Sequence, residues 1–427
     1  MIFRMSEQRN LLVGLDLCND YTQISCYNSN TYEPETIKFD YDSENELLDT
    51  AMAVTKDTKE WLLSEDAISA VKEDKAILVN NIVEMVRKNK TITLFDTVFT
   101  AHEVLVKFLR KSLSLIKRYH PSDSINKLVV TVEKTDIELV QGIFKALEEI
   151  GIEKERVSVQ DHARSFMYYV MSQKKELWMN DVCLFNYGIK GLTYYQISID
   201  RKRRPITVGV AVKDYTDAMS YTTLKEASDE SIKEIFEGIV DKTMYKQIIS
   251  TVYLTGKGMF GDWIHNSLDI FGNGKRIFMG INLFSEGACY AAKAAANPTL
   301  FEDYLFLSED MVTTAISVRS YVDAKERELV FVKTGMPWYE ANNTYEFILD
   351  DTNEVEVVVR DDLKNNKKSY IMALDLNENR PNKTTRIRMN VRYLSTDTCV
   401  VKIRDLGFGD FYPATNRVWE KIIKVEA

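Results

Sequence analysis

Apolar residues first gather in a strand-length run, Leu11 to Leu17 (LLVGLDL), followed by the polar turn Cys18-Asn19-Asp20 and a second run, Tyr21 to Tyr27. The pattern returns at Val182 to Tyr187, then a turn with two glycines, Gly188-Ile189-Lys190-Gly191, then Leu192 to Ile199. Both stretches read as β-hairpins. Their return strands share a fragment, Tyr21-Thr22-Gln23-Ile24-Ser25 against Tyr194-Tyr195-Gln196-Ile197-Ser198, which predicts an internal duplication.

The segments after the two hairpins carry the same expectation. Residues 28–60 are polar and acidic and read as loops and small strands. Helical spacing (Ile68, Val71, Ile77, Val79, Val83, Val86) predicts a helix from Asp66 to Lys88, and a stronger one runs from about Thr100 to Tyr119, stopped by Pro121. Lys127 to Val132 is a buried strand. Thr135 with Glu138 matches a capping box opening a helix that ends at Gly151. Val157 to Val159 is a strand and Asp161 to Lys174 a helix. After the second hairpin come a helix from Ser231 to Ile249, a strand Thr251–Thr255, the loop Gly256-Lys257-Gly258, and a helix from Asp262 to Phe271. An alanine-rich helix, Leu283 to Ala296, has side chains small enough for close backbone approach. Strands alternating with helices predict a mainly parallel or mixed sheet covered by helices.

Past Asp310 the period changes from helical to alternating. Arg386 to Tyr393 alternates without a break, and Glu354 to Val359, Cys399 to Ile403 and Val418 to Val425 are β-branched or alternating, with polar turns such as Asn365-Asn366 and Asn377–Asn382 between them. Roughly eight strands and no helix point to an antiparallel sandwich or barrel.

Composition narrows the class. At 427 residues, 45% hydrophobic and 28% charged, the chain has the make-up of a soluble globular protein of about two to four domains. No apolar run reaches the ~18 residues of a membrane helix, and the opening MIFRMSEQRN lacks a secretory core, so the expected compartment is the cytoplasm. A net charge of −9 argues against nucleic-acid binding, and Arg201-Lys202-Arg203-Arg204 reads as a solvated turn. The five cysteines show no CxxC pair, so the thiols read as reduced, mostly core residues, with Cys18 set apart by its place in a turn; the four histidines show no HExxH or other close pairing, which gives a zinc site little support. His162 reads as structural.

In this order the motifs resemble the actin-fold ATPases, and with the C-terminal β region the chain looks most like a DnaK-type chaperone. Gly14-Leu15-Asp16-Leu17 resembles that family's first phosphate motif, and Val129 to Met171 its strand, helix and connecting segment, with Asp161 at the acidic position. Phe185-Asn186-Tyr187-Gly188 resembles the second phosphate motif, Leu254-Thr255-Gly256-Lys257-Gly258 the adenosine motif, and Asn282 to Ala292 the second connecting helix. The resemblance implies an α/β class. A duplicated ribonuclease-H-like (actin-fold) two-lobed nucleotide-binding domain (lobes 1–176 and 177–303) would precede an all-β, peptide-binding-like sandwich at 304–427. It implies catalytic roles for Asp16 and Asp161, Asp16 also as metal ligand. ATP or ADP with Mg²⁺ would be cradled by Cys18, Asn19, Asp20, Asn186, Gly188, Lys190, Gly191, Gly256, Lys257 and Gly258.

The departures fall on those same residues. Where the family carries glycine-threonine-threonine this chain has Cys18-Asn19-Asp20, placing a carboxylate where phosphates belong. Asn186 replaces an aspartate and cannot help hold hydrated Mg²⁺, and Lys257 stands where a glycine is expected. Asp16 is either a site carboxylate or a buried acid met by backbone donors; Asp161 is either a site residue or a helix cap; Lys190 is a site residue or a solvated turn. The segment Tyr304 to Asp310 is either similar to the family's interdomain linker or an ordinary strand, and no helical lid follows the sandwich. The expectation is a chaperone-related protein with a degenerate nucleotide site that binds peptide or protein partners. The alternatives are a working Mg-ATP chaperone ATPase and an actin-fold sugar or acyl kinase.

Overall fold

Val13, Leu15 and Leu17 are fully buried on one face of the first strand, and Asp16 is equally buried on the other. A strand covered on both faces is central, and its neighbours explain why. The computed structural model describes residues 10–39, 46–265, 267–272, 274–322, 325–376 and 380–425. The chain divides into two compact units, Met1–Phe306 and Leu307–Ala427.

The first unit is mixed α/β and contains two sheets of matching order. In the first, β1 (Asn10–Leu17), β2 (Tyr21–Asn28), β3 (Glu33–Thr36), β4 (Ser124–Val132) and β5 (Val157–Asp161) are arranged 5-4-1-2-3. In the second, β6 (Asp181–Tyr187), β7 (Leu192–Asp200), β8 (Ile206–Asp214), β9 (Ile249–Thr255) and β10 (Arg276–Met279) are arranged 10-9-6-7-8, and β11 (Tyr304–Leu307) is added beside β8. Strand directions also correspond. Each hairpin is antiparallel to its own third strand, and each hairpin's first strand runs parallel to the next two. The two hairpins therefore hold equivalent places in two similar sheets. The segment 304–310 begins as an ordinary strand, with Phe306 buried.

Parallel neighbours require crossovers, and helices supply them. Six of the helices lie in the connections between these strands: α1 (Ile82–Arg87), α2 (Ala101–Ser114), α3 (Ile137–Glu149), α4 (His162–Ser172), α5 (Asp229–Met244) and α6 (Leu283–Ala296). The small residues of α6 have a visible purpose. A Cβ on Gly14 of β1 would lie 2.1 Å from the Ser285 carbonyl oxygen, and one on Gly287 would lie 2.1 Å from that of Ser165 in α4. Only glycine lets β1, α4 and α6 approach so closely. Phe166, Met167 and Val170 of α4 and Leu283 and Phe284 of α6 then share a core with Val182 and Leu184 of β6.

Several sequence expectations need correction. The stretch 66–88 is not one helix: Ser64–Lys72 and α1 flank a strand, Ala76–Val79, which pairs with Met52–Thr55. Asp74 and Asn81, both at positive φ, turn the chain at either side. The N-cap of α3 is Asp136, whose carboxylate accepts from Leu139 N, so Thr135 opens no capping box; one forms at Thr100 and Glu103 instead. The helix expected to reach Ile249 stops at Met244, because Ile249 and Ser250 start β9. Asp262–His265 is helical and Leu268–Phe271 is a 3-10 turn, while Asn266 between them lies outside the described residues. The opening segment before Asn10, residues 40–45 of the 28–60 stretch, and 377–379 of the Asn377–Asn382 turn also lie outside them.

The second unit carries eight strands: β12 (Thr314–Val322), β13 (Lys325–Val332), β14 (Asn342–Ile348), β15 (Glu354–Asp361), β16 (Asn366–Ala373), β17 (Arg386–Ser395), β18 (Thr398–Gly407) and β19 (Val418–Lys424). They form two four-stranded sheets, ordered 13-12-15-16 and 14-17-18-19, every pair antiparallel. Val318, Val357 and Met372 from one sheet and Met389, Val401 and Ile423 from the other meet in one core. The alternation of β17 is realised as exposed Arg386 and Arg388 against buried Ile387 and Met389. A buried ion pair closes one end: Arg380 reaches Asp405 through two hydrogen bonds, 2.9 and 3.0 Å, while Asp405 also accepts from Gly407 N and Thr415 N.

Candidate functional site

The end of β1 delivers Asp16 and Cys18 to one point, and the start of α4 brings His162 to the same point. His162 Nε2 lies 2.8 Å from Asp16 Oδ1, Cys18 Sγ lies 3.4 Å from that same oxygen, and Sγ to Nε2 is 3.6 Å. None of the three is more than 2% exposed. Phe284 of α6 stacks on the imidazole at 3.8 Å with the planes 8° apart, fixing the ring. Burial opposes charge on the ring, but the Asp16 carboxylate outweighs it and holds His162 above its usual titration range. Burial, followed by Asp16, Glu133 and Asp20, pushes the Cys18 thiol far up. Cys18, although it leaves the strand at a turn, is therefore a buried residue like the other four cysteines.

Polar groups around this point are left over. Asp16 Oδ2, His162 Nδ1 and both ends of the Gln23 amide are buried without a partner. Gln23 stands directly across the hairpin from Asp16, and the pleat puts both side chains on one face. Burying such groups without partners costs roughly 1–3 kcal/mol apiece, so their concentration in one place needs a cause.

The first hairpin tip is committed to internal contacts. Cys18 N donates to Tyr21 O, and the Asn19 side chain donates to Asn81 and accepts from Glu84 N at the start of α1. Asp20 is half-buried; its carboxyl is pushed up by burial and by Glu133, with Lys257 acting in the opposite direction. At the second tip, Gly188 and Gly191 exchange both backbone hydrogen bonds, and Lys190 pairs with Glu133 just past β4. Gly191, at φ +142°, is pressed against the Met219 carbonyl. Gly256 and Gly258 are equally structural: a Cβ on either would collide with Tyr187, and on Gly256 also with Asn186 Oδ1. Trp263 donates to the Gly258 carbonyl and is itself buried.

The structure thus brings Asp16, Cys18, Asp20, Lys190 and Lys257 into one charged neighbourhood. Asp161 stands next to it, but its carboxylate accepts from Arg164 N and caps α4. His162, read as structural from sequence, is the central partner of Asp16; Glu133, Gln23 and Phe284 were not singled out at all. One sequence signal was available: His162 follows directly on Asp161, which the family pattern had already picked.

The cluster's geometry limits its chemistry. A nucleophilic triad needs the carboxylate on one imidazole nitrogen and the thiol on the other. Here both converge on Nε2, and the thiol is held protonated. For phosphate, the tip amides of Gly188 and Gly191 are spent within the hairpin, and Asp20 and Glu133 repel an anion. Asp16 is too enclosed to meet a cation that keeps its waters, as Mg²⁺ does.

Among the described residues no helix is long and apolar enough to cross a membrane. No curated protein matches the chain. Residues 311–425 match a domain of unknown function (DUF8552), and residues 33–309 match the family described as Family of unknown function (DUF5716) C-terminal. The second match covers more than half of the sequence, and the chain belongs to the DUF5716 family.

Proposed function

We propose that this protein is an actin-fold relative, similar to DnaK-type chaperones, whose nucleotide site has become a closed structural cluster and which works by binding peptide or protein partners. The duplicated 5-4-1-2-3 sheets, with paired hairpins facing the shared helices, support the fold assignment. The observation that carries the loss of ATPase activity is the enclosure of Asp16 by His162, Cys18 and Phe284. A carboxylate that must orient hydrated Mg²⁺ beside a phosphate needs access to solvent. This one has 0% exposure. The eight-stranded C-terminal unit is the partner-binding element in this reading, since sheet edges accept extended peptides.

The test is steady-state hydrolysis of Mg-ATP by the 427-residue chain beside its Asp16→Ala variant. The reading predicts phosphate release at the no-enzyme background for both. Turnover by the wild type that Asp16→Ala abolishes would replace it with a working ATPase.

A further inference from the structure

We propose that Asp16, Cys18 and His162 form a binding site for a divalent cation of the zinc class. The three candidate ligand atoms are of three kinds, thiol sulfur, imidazole nitrogen and carboxylate oxygen, and lie mutually within 4.8 Å. A tetrahedral Zn²⁺, with bonds of about 2.3 Å to sulfur and about 2.0 Å to nitrogen and oxygen, holds such atoms roughly 3.3–3.6 Å apart. The observed Sγ–Oδ1 and Sγ–Nε2 separations of 3.4 and 3.6 Å already have that spacing. The shorter Nε2–Oδ1 distance of 2.8 Å is a hydrogen bond, which opens slightly when a metal replaces the proton. Convergence of thiol and carboxylate on one imidazole nitrogen, which spoils a catalytic triad, is what a metal requires.

Independent of spacing, the unsatisfied groups point to a missing occupant. Asp16 Oδ2 and both ends of the Gln23 amide are fully buried and unpartnered on the face where the cluster lies. Charge agrees. Cys18 belongs also to a second close group with Asp20 and Glu133, so carboxylates surround the thiol and favour a cation beside it. Thiolate and imidazole select zinc-class cations over Mg²⁺ and Ca²⁺. Binding moves no electrons. The Cys18 thiol releases its proton to solvent, His162 Nε2 gives up the proton it shares with Asp16, and their lone pairs, with one from Asp16, bind the metal. Affinity therefore rises with pH.

Titration of the metal-free, tag-free 427-residue chain with Co²⁺, followed by absorption, tests this. The expected result is saturation at one equivalent, with a thiolate-to-cobalt charge-transfer band and the intense visible bands of four-coordinate Co²⁺, all bleached by one equivalent of Zn²⁺. Cys18→Ser should lose the charge-transfer band, while Cys183→Ser and Cys399→Ser, altered at buried thiols elsewhere, should keep it. Should Cys18→Ser fail to fold, X-ray absorption at the zinc edge of the wild type decides, the proposal requiring one sulfur neighbour at about 2.3 Å. No saturable binding, a six-coordinate spectrum without sulfur, or a charge-transfer band that survives in folded Cys18→Ser would overturn it.

Discussion

His162 Nε2 and Asp16 Oδ1 meet at 2.8 Å in a place where neither side chain is more than 1% exposed. That contact joins β1 of the first sheet to α4, which also packs against β6 of the second, and it encloses Asp16. Removing one partner of a buried pair strands the other, which costs about 3–5 kcal/mol. His162→Ala should therefore lower unfolding stability by that amount in metal-free protein, measured by urea denaturation; a loss below about 1 kcal/mol would contradict the pairing.

The same contact sets a pH dependence. His162 titrates above its ordinary 6.5 in the folded state, so the pair's contribution is complete below about pH 6.5 and is lost as pH rises through the raised value. In Asp16→Asn, burial is opposed only by the Glu133 and Asp161 carboxylates, and the titration midpoint of the ring should fall. Imidazole NMR titration of the metal-free protein reads this directly, and an unchanged midpoint would refute the assigned cause.

Glu286 of α6 supplies a second pH effect. Burial first, then Glu46 and Glu33, raises its carboxyl from 4.5 to about 7. Its folded pKa is raised, so it contributes below about pH 4.5 and that contribution drains away up to about pH 7. Glu286→Gln should stabilise the protein at pH 8 by up to about 3 kcal/mol and leave pH 4 nearly unchanged. Denaturant midpoints at both values check it; equal shifts at both would contradict the account.

Two glycines should respond in opposite measure. A Cβ on Gly14 meets backbone of α6 at 2.1 and 2.3 Å, so Gly14→Ala must push helix from strand. Gly151, at φ +92°, has nothing within 4 Å, so Gly151→Ala pays only conformational strain, about 1–2 kcal/mol. Thermal unfolding should rank Gly14→Ala as the more damaging.

In the second unit, four contacts on Asp405, chiefly from Arg380 and Thr415, overcome its burial and hold its carboxyl well below the ordinary 3.8. Its contribution is present above about pH 3.8 and is lost as pH falls through the lowered value. Arg380→Ala should cost about 3–5 kcal/mol and speed amide exchange across β17 and β18. Protection that stays at wild-type levels there would show the pair to be dispensable.

Local signals in the sequence reached far. The hairpins at 11–27 and 181–199, the helix 283–296 and the alternation at 386–393 all follow from residue period alone, because each is determined by which face is buried. What failed was set from a distance. Ile77 and Val79 fit a helical face as well as a strand, and only the partner strand at Met52–Thr55 decides between them. Asp16 was visible as an acid inside an apolar strand, yet its partner lies 146 positions away. No spacing rule connects the two; the register of β1 on β4, and of β4 on β5, does.

The proposal that this chain binds no nucleotide is tested most directly by isothermal titration of Mg-ATP and Mg-ADP into the 427-residue protein. With Asp16 enclosed, Asp20 opposing phosphate and Asn186 in place of a carboxylate, the account predicts no saturable heat below about 1 mM, an affinity weaker than roughly −4 kcal/mol. Micromolar binding of either nucleotide that disappears in Asp16→Ala would contradict it.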